Sequence, residues 1–302
     1  MPNQDKFAVI WNGSSGRNAR DATAIEVAKT VFGPQTMLYH IGADRTVQAC
    51  IQSALNDGAT RIIAAGGDGT IMSVASALAG TDVPMGVLPL GTFNYFSRGL
   101  GISQDIRQAA ETIKAGQIKR ISVGSVNGQV FLNNASVGVY PAILKERETV
   151  YRRWGRWRVA AHWSVVRTFI RFRRPTTVSI MTEDGETTLR TPLLFVARSS
   201  YQLRAFGLEG SDAISQDGFA VFVSRHSRRI DLFRMASKLM LGTMRDGVDF
   251  DLLRVRSLTV TTRRKRKREL VAFDGEKRRM PLPLRFEMMP DALSVIVPAS
   301  SP

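Results

Sequence analysis

The sequence predicts a two-domain chain, with an N-terminal α/β domain built on a doubly wound parallel sheet and a C-terminal antiparallel β-sandwich. Three observations carry that expectation. Up to about Lys119, short apolar runs alternate with helical stretches, and such alternation needs parallel crossovers. Beyond Lys119, short strands follow one another, separated by turns such as Asn127-Gly128, Asp184-Gly185 and Asp217-Gly218. The length of 302 residues also exceeds what one core ordinarily holds.

Taken in order, Phe7–Trp11 reads as a buried strand that runs into Asn12-Gly13-Ser14-Ser15-Gly16. A helical pattern from Ala19 to Val31 stops at Gly33-Pro34, a normal terminator. Thr36–Tyr39 is the second strand and Val47–Leu55 the second helix. Ile62–Ala65 is the third strand, followed by Gly66-Gly67-Asp68-Gly69-Thr70 and a helix from Ile71 to Leu78. Met85–Pro89 is the fourth, with the turn Gly91-Thr92-Phe93-Asn94 and a short helix from Phe96 to Leu100. In the second half, 121–123, 130–133, 177–181, 193–196, 219–223, 257–261 and 270–273 read as short strands. Helical segments fall around 144–172 and 230–242, and Leu293–Val297 fits a strand of either domain. The expected domains are residues 1–121 and 122–292, with residues 293–302 open to rejoining the first.

The chain is organised around Gly66–Thr70. Three glycines and a carboxylate at a strand-to-helix turn suit a backbone that approaches a ligand closely, because glycine lacks Cβ and tolerates positive φ. Amides opening the next helix would then face an anion such as phosphate. No Gly-Lys-Ser/Thr follows, so this is not a Walker A loop, nor is it a Gly-x-Gly-x-x-Gly fingerprint. The plainer alternative is a tight turn with an exposed Asp68. In open parallel sheets ligands bind beyond the carboxyl ends of the strands, where all three glycine-rich turns belong.

The net charge of +16 lies almost wholly in the second half. Residues 1–121 carry eleven Lys/Arg against nine Asp/Glu, and residues 122–302 carry 31 against 17. An anionic partner would therefore meet the second half. Residues 144–174 hold ten Lys/Arg and three tryptophans and, as a helix, would show two apolar stripes, one for packing and one for lipid. Arg263-Arg-Lys-Arg-Lys-Arg268 is a second basic cluster. A solvated basic face is the competing reading of both segments. No nucleic-acid module is recognisable, so nucleic acid is not expected as a partner. The opening residues lack a signal-peptide pattern, no apolar run reaches membrane-spanning length, and Cys50 is the single cysteine. A cytoplasmic protein is expected.

The motifs together resemble the diacylglycerol kinase catalytic-domain family, in particular its bacterial soluble lipid kinases, with sphingosine kinases and NAD kinases as more distant relatives. The resemblance rests on Asn12–Gly16, Gly66–Thr70, Pro89-Leu-Gly-Thr-Phe-Asn94, Asn133-Asn-Ala-Ser-Val-Gly138, Asp217-Gly218 and Asp274-Gly275-Glu276, in that order and spacing. It implies an ATP- and Mg²⁺-dependent kinase acting on a hydroxyl of a diacylglycerol-like lipid, with the active site in the cleft between the domains. By resemblance, Asn12, Gly13, Ser14, Ser15, Gly16, Gly66, Gly67, Asp68, Gly69, Thr70, Ile71, Met72, Thr92 and Asn94 form the ATP site. Glu276 would accept the hydroxyl proton, with Asp274 as its neighbour or a metal-linked carboxylate. Asp68 would face Mg²⁺, and a structural Mg²⁺ would be held by Asp217 with the carbonyls of Ile214 and Phe219. A hairpin turn is the plainer reading of both Asp274-Gly275 and Asp217-Gly218.

Three positions depart from the family pattern. Gly13 replaces a proline, Met72 a common asparagine, and Tyr95 the aspartate that usually follows Gly-Thr-x-Asn. Tyr95 offers no carboxylate to Mg²⁺, which leaves a non-catalytic nucleotide- or lipid-binding protein as one alternative. A kinase of a soluble alcohol is the other. Peripheral association with an anionic inner membrane face is expected of a lipid kinase with this charge. A homodimer is left open.

Overall fold

The computed structural model describes residues 5–12, 19–42, 44–138, 175–225, 229–240, 242–262 and 267–299. The expected basic helix at 144–174, residues 263–266 of the second cluster, and Gly13–Gly16 all lie outside the described residues. The chain forms two compact units, Met1–Val123 with Met289–Pro302, and Gly124–Met288.

The first unit runs β1 (Phe7–Asn12), α1 (Ala19–Phe32), β2 (Met37–Ile41), α2 (Val47–Asn56), β3 (Arg61–Gly66), α3 (Asp68–Leu78), β4 (Met85–Pro89), α4 (Tyr95–Gly99) and α5 (Ile106–Ala115). A further strand, β5 (Gln117–Val126), leads out of it. Its strands lie in the order β2-β1-β3-β4, all parallel. The end of the chain adds one more parallel strand beside β4, with Val295 opposite Met85. β1, β3 and β4 are buried on both faces, which is why each reads as an unbroken apolar run instead of an alternating one. Strand order reverses between β1 and β3, so the carboxyl ends at Asn12 and Gly66 flank the switch point of the sheet. Side chains set two of the helix starts. The Thr46 hydroxyl accepts from Ala49 N at 3.2 Å, and Asp105 accepts from Gln108 N at 2.9 Å. The second of these opens α5, a helix not expected from the sequence, which buries Ala109, Ala110 and Ile113.

The second unit continues with β6 (Gln129–Phe131), β7 (Asn134–Gly138), β8 (Thr176–Thr182), β9 (Gly185–Thr191), β10 (Leu193–Ala197), α6 (Ser200–Ala205), α7 (Ser211–Ser215) and β11 (Phe219–Ser224). Then come α8 (Arg229–Met240), β12 (Phe250–Val255), β13 (Ser257–Thr262), β14 (Arg268–Phe273), β15 (Glu276–Pro281) and β16 (Leu284–Val297). One sheet has the order β12-β11-β10-β7-β14-β15, antiparallel throughout. A second set of antiparallel strands runs β16-β13-β8-β9. The two layers meet through aromatic rings. Phe131 of β6 lies 5.8 Å from the ring of Phe219 and 6.5 Å from that of Phe286, and all three are fully buried. Three such rings removed from water form a substantial part of the sandwich core. No described helix is long and apolar enough to cross a membrane.

Candidate active site

In the first unit, β3 ends at Gly66 and α3 begins at Asp68, so the Gly66–Thr70 turn sits at a strand's carboxyl end and a helix's amino end. The β4 exit runs beside it, where Leu90 N donates to Gly66 O at 2.9 Å. The two backbones approach so closely that only glycine fits. A Cβ on Gly91 would stand 2.8 Å from Gly67 Cα and 2.6 Å from Asn94 Oδ1. A Cβ on Gly66 would lie 2.6 Å from Thr70 Cβ. The glycines therefore leave main-chain surface, not side chains, facing this end of the sheet.

Asp68 has a defined local role. Its Oδ2 accepts from Asn94 N at 3.0 Å, at the start of α4. Burial raises its carboxyl above the ordinary value, against the pull of the amides of Asn94, Tyr95 and Phe96 and of its own amide. Its Oδ1 is buried and has no hydrogen-bond partner among the described residues, and the same is true of Asn94 Oδ1. Asn94 sits in the left-handed region at φ 50 and donates to Gly91 O (2.9 Å) and Gln104 Oε1 (2.8 Å), so its amide organises the turn. Gln104 was not anticipated from the sequence, and its only signal was a polar residue shortly before a helix cap. Ile71 and Met72 are buried, which leaves them only main-chain atoms to offer a ligand. Thr92 is exposed, and Tyr95 stacks on Phe93 with ring centroids 5.6 Å apart. Beside this turn lies a pocket of about 550 Å³ whose lining includes Gly91, Thr92, Asn94, Arg98 and Arg107. Its wall carries two guanidinium-bearing residues against one carboxylate, Asp105, a net positive lining that suits an anion.

In the second unit, Asp274 and Gly275 form the two-residue loop of the β14–β15 hairpin, both at positive φ (45 and 88) as a type I′ turn requires. The hairpin reading of this motif is thus structurally right, and it accounts for the two carboxylates differently. Asp274 is buried and turned inward. Its Oδ2 accepts from Leu132 N at 2.5 Å, and its Oδ1 accepts from Asn133 N at 2.8 Å and Asn134 N at 3.1 Å. Glu276, at the start of β15, keeps solvent access. Partial loss of water around its carboxyl raises its pKa, and the Arg278 guanidinium pulls it back. Of the pair, Glu276 is the exposed carboxylate and Asp274 the buried one.

Asp217-Gly218 is not a hairpin. Gly218 N donates to Ala213 O (2.8 Å) and Asp217 N to Ile214 O (3.2 Å), with Asp217 at φ 56. This is the Schellman closure of α7, and β11 starts immediately after it. Arg198, at the end of β10, reaches into this closure. Its Nη2 lies 3.1 Å from Asp217 Oδ1, and its Nη1 donates to Ile214 O at 3.4 Å. Arg198 was not anticipated, because a lone arginine at a strand end carries no sequence signal.

Comparison with known proteins agrees with this architecture. Residues 6–126 match the diacylglycerol kinase catalytic domain, and residues 136–297 match the YegS C-terminal NAD kinase beta sandwich-like domain. The second match alone takes in more than half of the chain. The protein belongs to this family, in which a diacylglycerol kinase catalytic domain is joined to a YegS-type sandwich. It is 39% identical over 137 residues to the diacylglycerol kinase of Bacillus subtilis, covering 43% of this chain and 45% of that one. It is 36% identical over 136 residues to a Pseudomonas fluorescens protein named "Probable lipid kinase YegS-like", covering 44% of each. The matched stretches thus span less than half the length of these relatives. A diacylglycerol kinase structure from Bacillus anthracis superposes over the full length of both chains with a TM-score of 0.69 at 18% identity, which shows a shared fold.

Proposed function

We propose that this protein is a lipid kinase that transfers the γ-phosphoryl group of ATP to a hydroxyl of a diacylglycerol-like lipid. The observation that carries this reading is the Gly67–Gly91 approach at the carboxyl ends of β3 and β4, a main-chain cradle of the kind that admits phosphate, in a chain of this family. In the proposed reaction the lipid hydroxyl gives its proton to the Glu276 carboxylate, and its oxygen forms a bond to the γ-phosphorus. The bond between that phosphorus and the β–γ bridging oxygen breaks, and ADP leaves with the electron pair. Positioning and charge neutralisation do most of the work in such a transfer. The amides around Gly66–Thr70 hold the triphosphate, and Arg98 and Arg107 add positive charge beside Gly91.

Mg²⁺ would supply charge neutralisation at the phosphate oxygens. Asp68 fits it, since Oδ1 is a buried carboxylate oxygen without a partner among the described residues, a hard ligand of the type the ion prefers. Tyr95 replaces the usual second acid, so a single protein carboxylate would serve the ion on this side of the site.

The test is incubation of the purified protein with labelled ATP, MgCl₂ and a panel of diacylglycerol, sphingosine, other lipid alcohols and NAD. Radiolabel in a lipid product supports the proposal. Radiolabel in NAD alone assigns a soluble alcohol, and nucleotide binding without any product sinks the kinase reading. A second expectation concerns the cradle. Gly91→Ala should weaken ATP binding by about tenfold, equivalent to ~1.4 kcal/mol, as measured by isothermal titration calorimetry. Unchanged affinity would place the phosphates elsewhere. Flotation with anionic vesicles tests the membrane association. A protein that stays in the supernatant with lipid present is not peripheral.

A further inference from the structure

We propose that the Arg198 guanidinium is a built-in cation that takes the place of a structural Mg²⁺ in the 214–219 loop, so that this loop needs no metal. The divalent site expected by family resemblance has three protein oxygens, from Asp217 and the carbonyls of Ile214 and Phe219. Arg198 engages the first two, at 3.1 and 3.4 Å. A dication brought to the same oxygens would meet a fixed positive charge a few ångströms away, which is strongly unfavourable in a partly buried site.

The surroundings show that Arg198 is held there by construction. Its main-chain N–H donates to Asn133 O at 2.8 Å, which fixes where its side chain starts. The side chain is 13% exposed, whereas the Asp217 side chain is 63% exposed. The cation is therefore the packed member of the pair and the carboxylate folds over it. The Ile214 carbonyl lies in the last turn of α7, where a cation is favourable. Burial lowers the Arg198 pKa and Asp217 opposes this, yet a guanidinium remains charged at any working pH. A fork of several N–H donors matches one carboxylate and one carbonyl at once, as a metal ion would by accepting two ligands. Arg198 thereby acts as a positioning residue that ties the end of β10 to the start of β11.

The experiment measures melting temperature and Mn²⁺ binding in the full chain without nucleotide, after treatment with EDTA. The unaltered protein should melt at the same temperature in EDTA and in MgCl₂. Arg198→Ala should melt about 4 °C lower in EDTA, as expected for losing 1–2 kcal/mol in a chain of this size. MgCl₂ should restore most of that loss. The variant should also gain an Mn²⁺ signal by electron paramagnetic resonance that disappears in the Arg198→Ala/Asp217→Asn double variant. Arg198→Lys, which keeps a cation, should remain indifferent to metal and serves if the alanine variant fails to fold. The proposal is overturned if MgCl₂ raises the melting temperature of the unaltered protein in a manner abolished by Asp217→Asn. It is equally overturned if Arg198→Ala loses stability that no divalent cation returns.

Discussion

Replacing Glu276 by glutamine is expected to lower kcat by roughly 100- to 10,000-fold, the usual worth of a general base, while ATP affinity stays unchanged. Glutamine keeps the size and polarity of the side chain and removes only its capacity to accept a proton, so binding and chemistry separate cleanly. The pH profile adds an independent check. The base must be ionised to act, and partial loss of water around its carboxyl has raised its pKa. Activity should therefore rise with pH through a limb displaced above the ordinary glutamate range. The Arg278 guanidinium lowers that pKa, so Arg278→Ala should move the limb to higher pH. A loss of less than tenfold in Glu276→Gln, or an acid limb that ignores Arg278, would remove Glu276 from the reaction.

The same motif should respond quite differently at its first position. Asp274→Ala is expected to destabilise the second unit by about 3–6 kcal/mol, a fall in melting temperature of about 10 °C or more. Three buried amides, those of Leu132, Asn133 and Asn134, lose their common acceptor, and no water replaces it without opening the structure. Asp274→Asn should fall between. It retains one acceptor oxygen but turns an NH₂ group toward amides that also donate. Thermal denaturation of the three proteins measures the series. A melting temperature for Asp274→Ala within a degree or two of the parent would show that this carboxylate is not structural. These two carboxylates, two positions apart, are expected to divide the work because Asp274 lies buried in the turn whereas Glu276 opens β15 and is exposed.

What local pattern determines was legible. Met85–Pro89 is the fourth strand to the residue, and the limits expected for α1 and α2 are within a residue of those found. Buried parallel strands announce themselves as apolar runs, and glycine turns mark their carboxyl ends because main-chain approach admits nothing larger. The family and the two-layer architecture were readable for the same reason, from ordered short motifs.

Two of the missed strands lack that local signal, whereas the missed α5 carried one in its Asp105 cap and its buried stripe of Ala109, Ala110 and Ile113. β9 (Gly185–Thr191) and β15 (Glu276–Pro281) are mostly polar or charged and lie at sheet edges, where a strand is set by its neighbour's hydrogen bonds instead of its own burial. The last strand fits either layer by composition, and only its pairing with β4 assigns its end. The site shows the same division. The sequence by itself determined which turns carry glycine and which positions carry carboxylates. Only the tertiary structure decided that Asp68 answers the amides of α4, that Asp274 accepts from the 132–134 segment, and that Arg198 reaches Asp217 and the Ile214 carbonyl. Each of those outcomes depends on partners 16 to 142 residues away, and no local period or spacing encodes such partners.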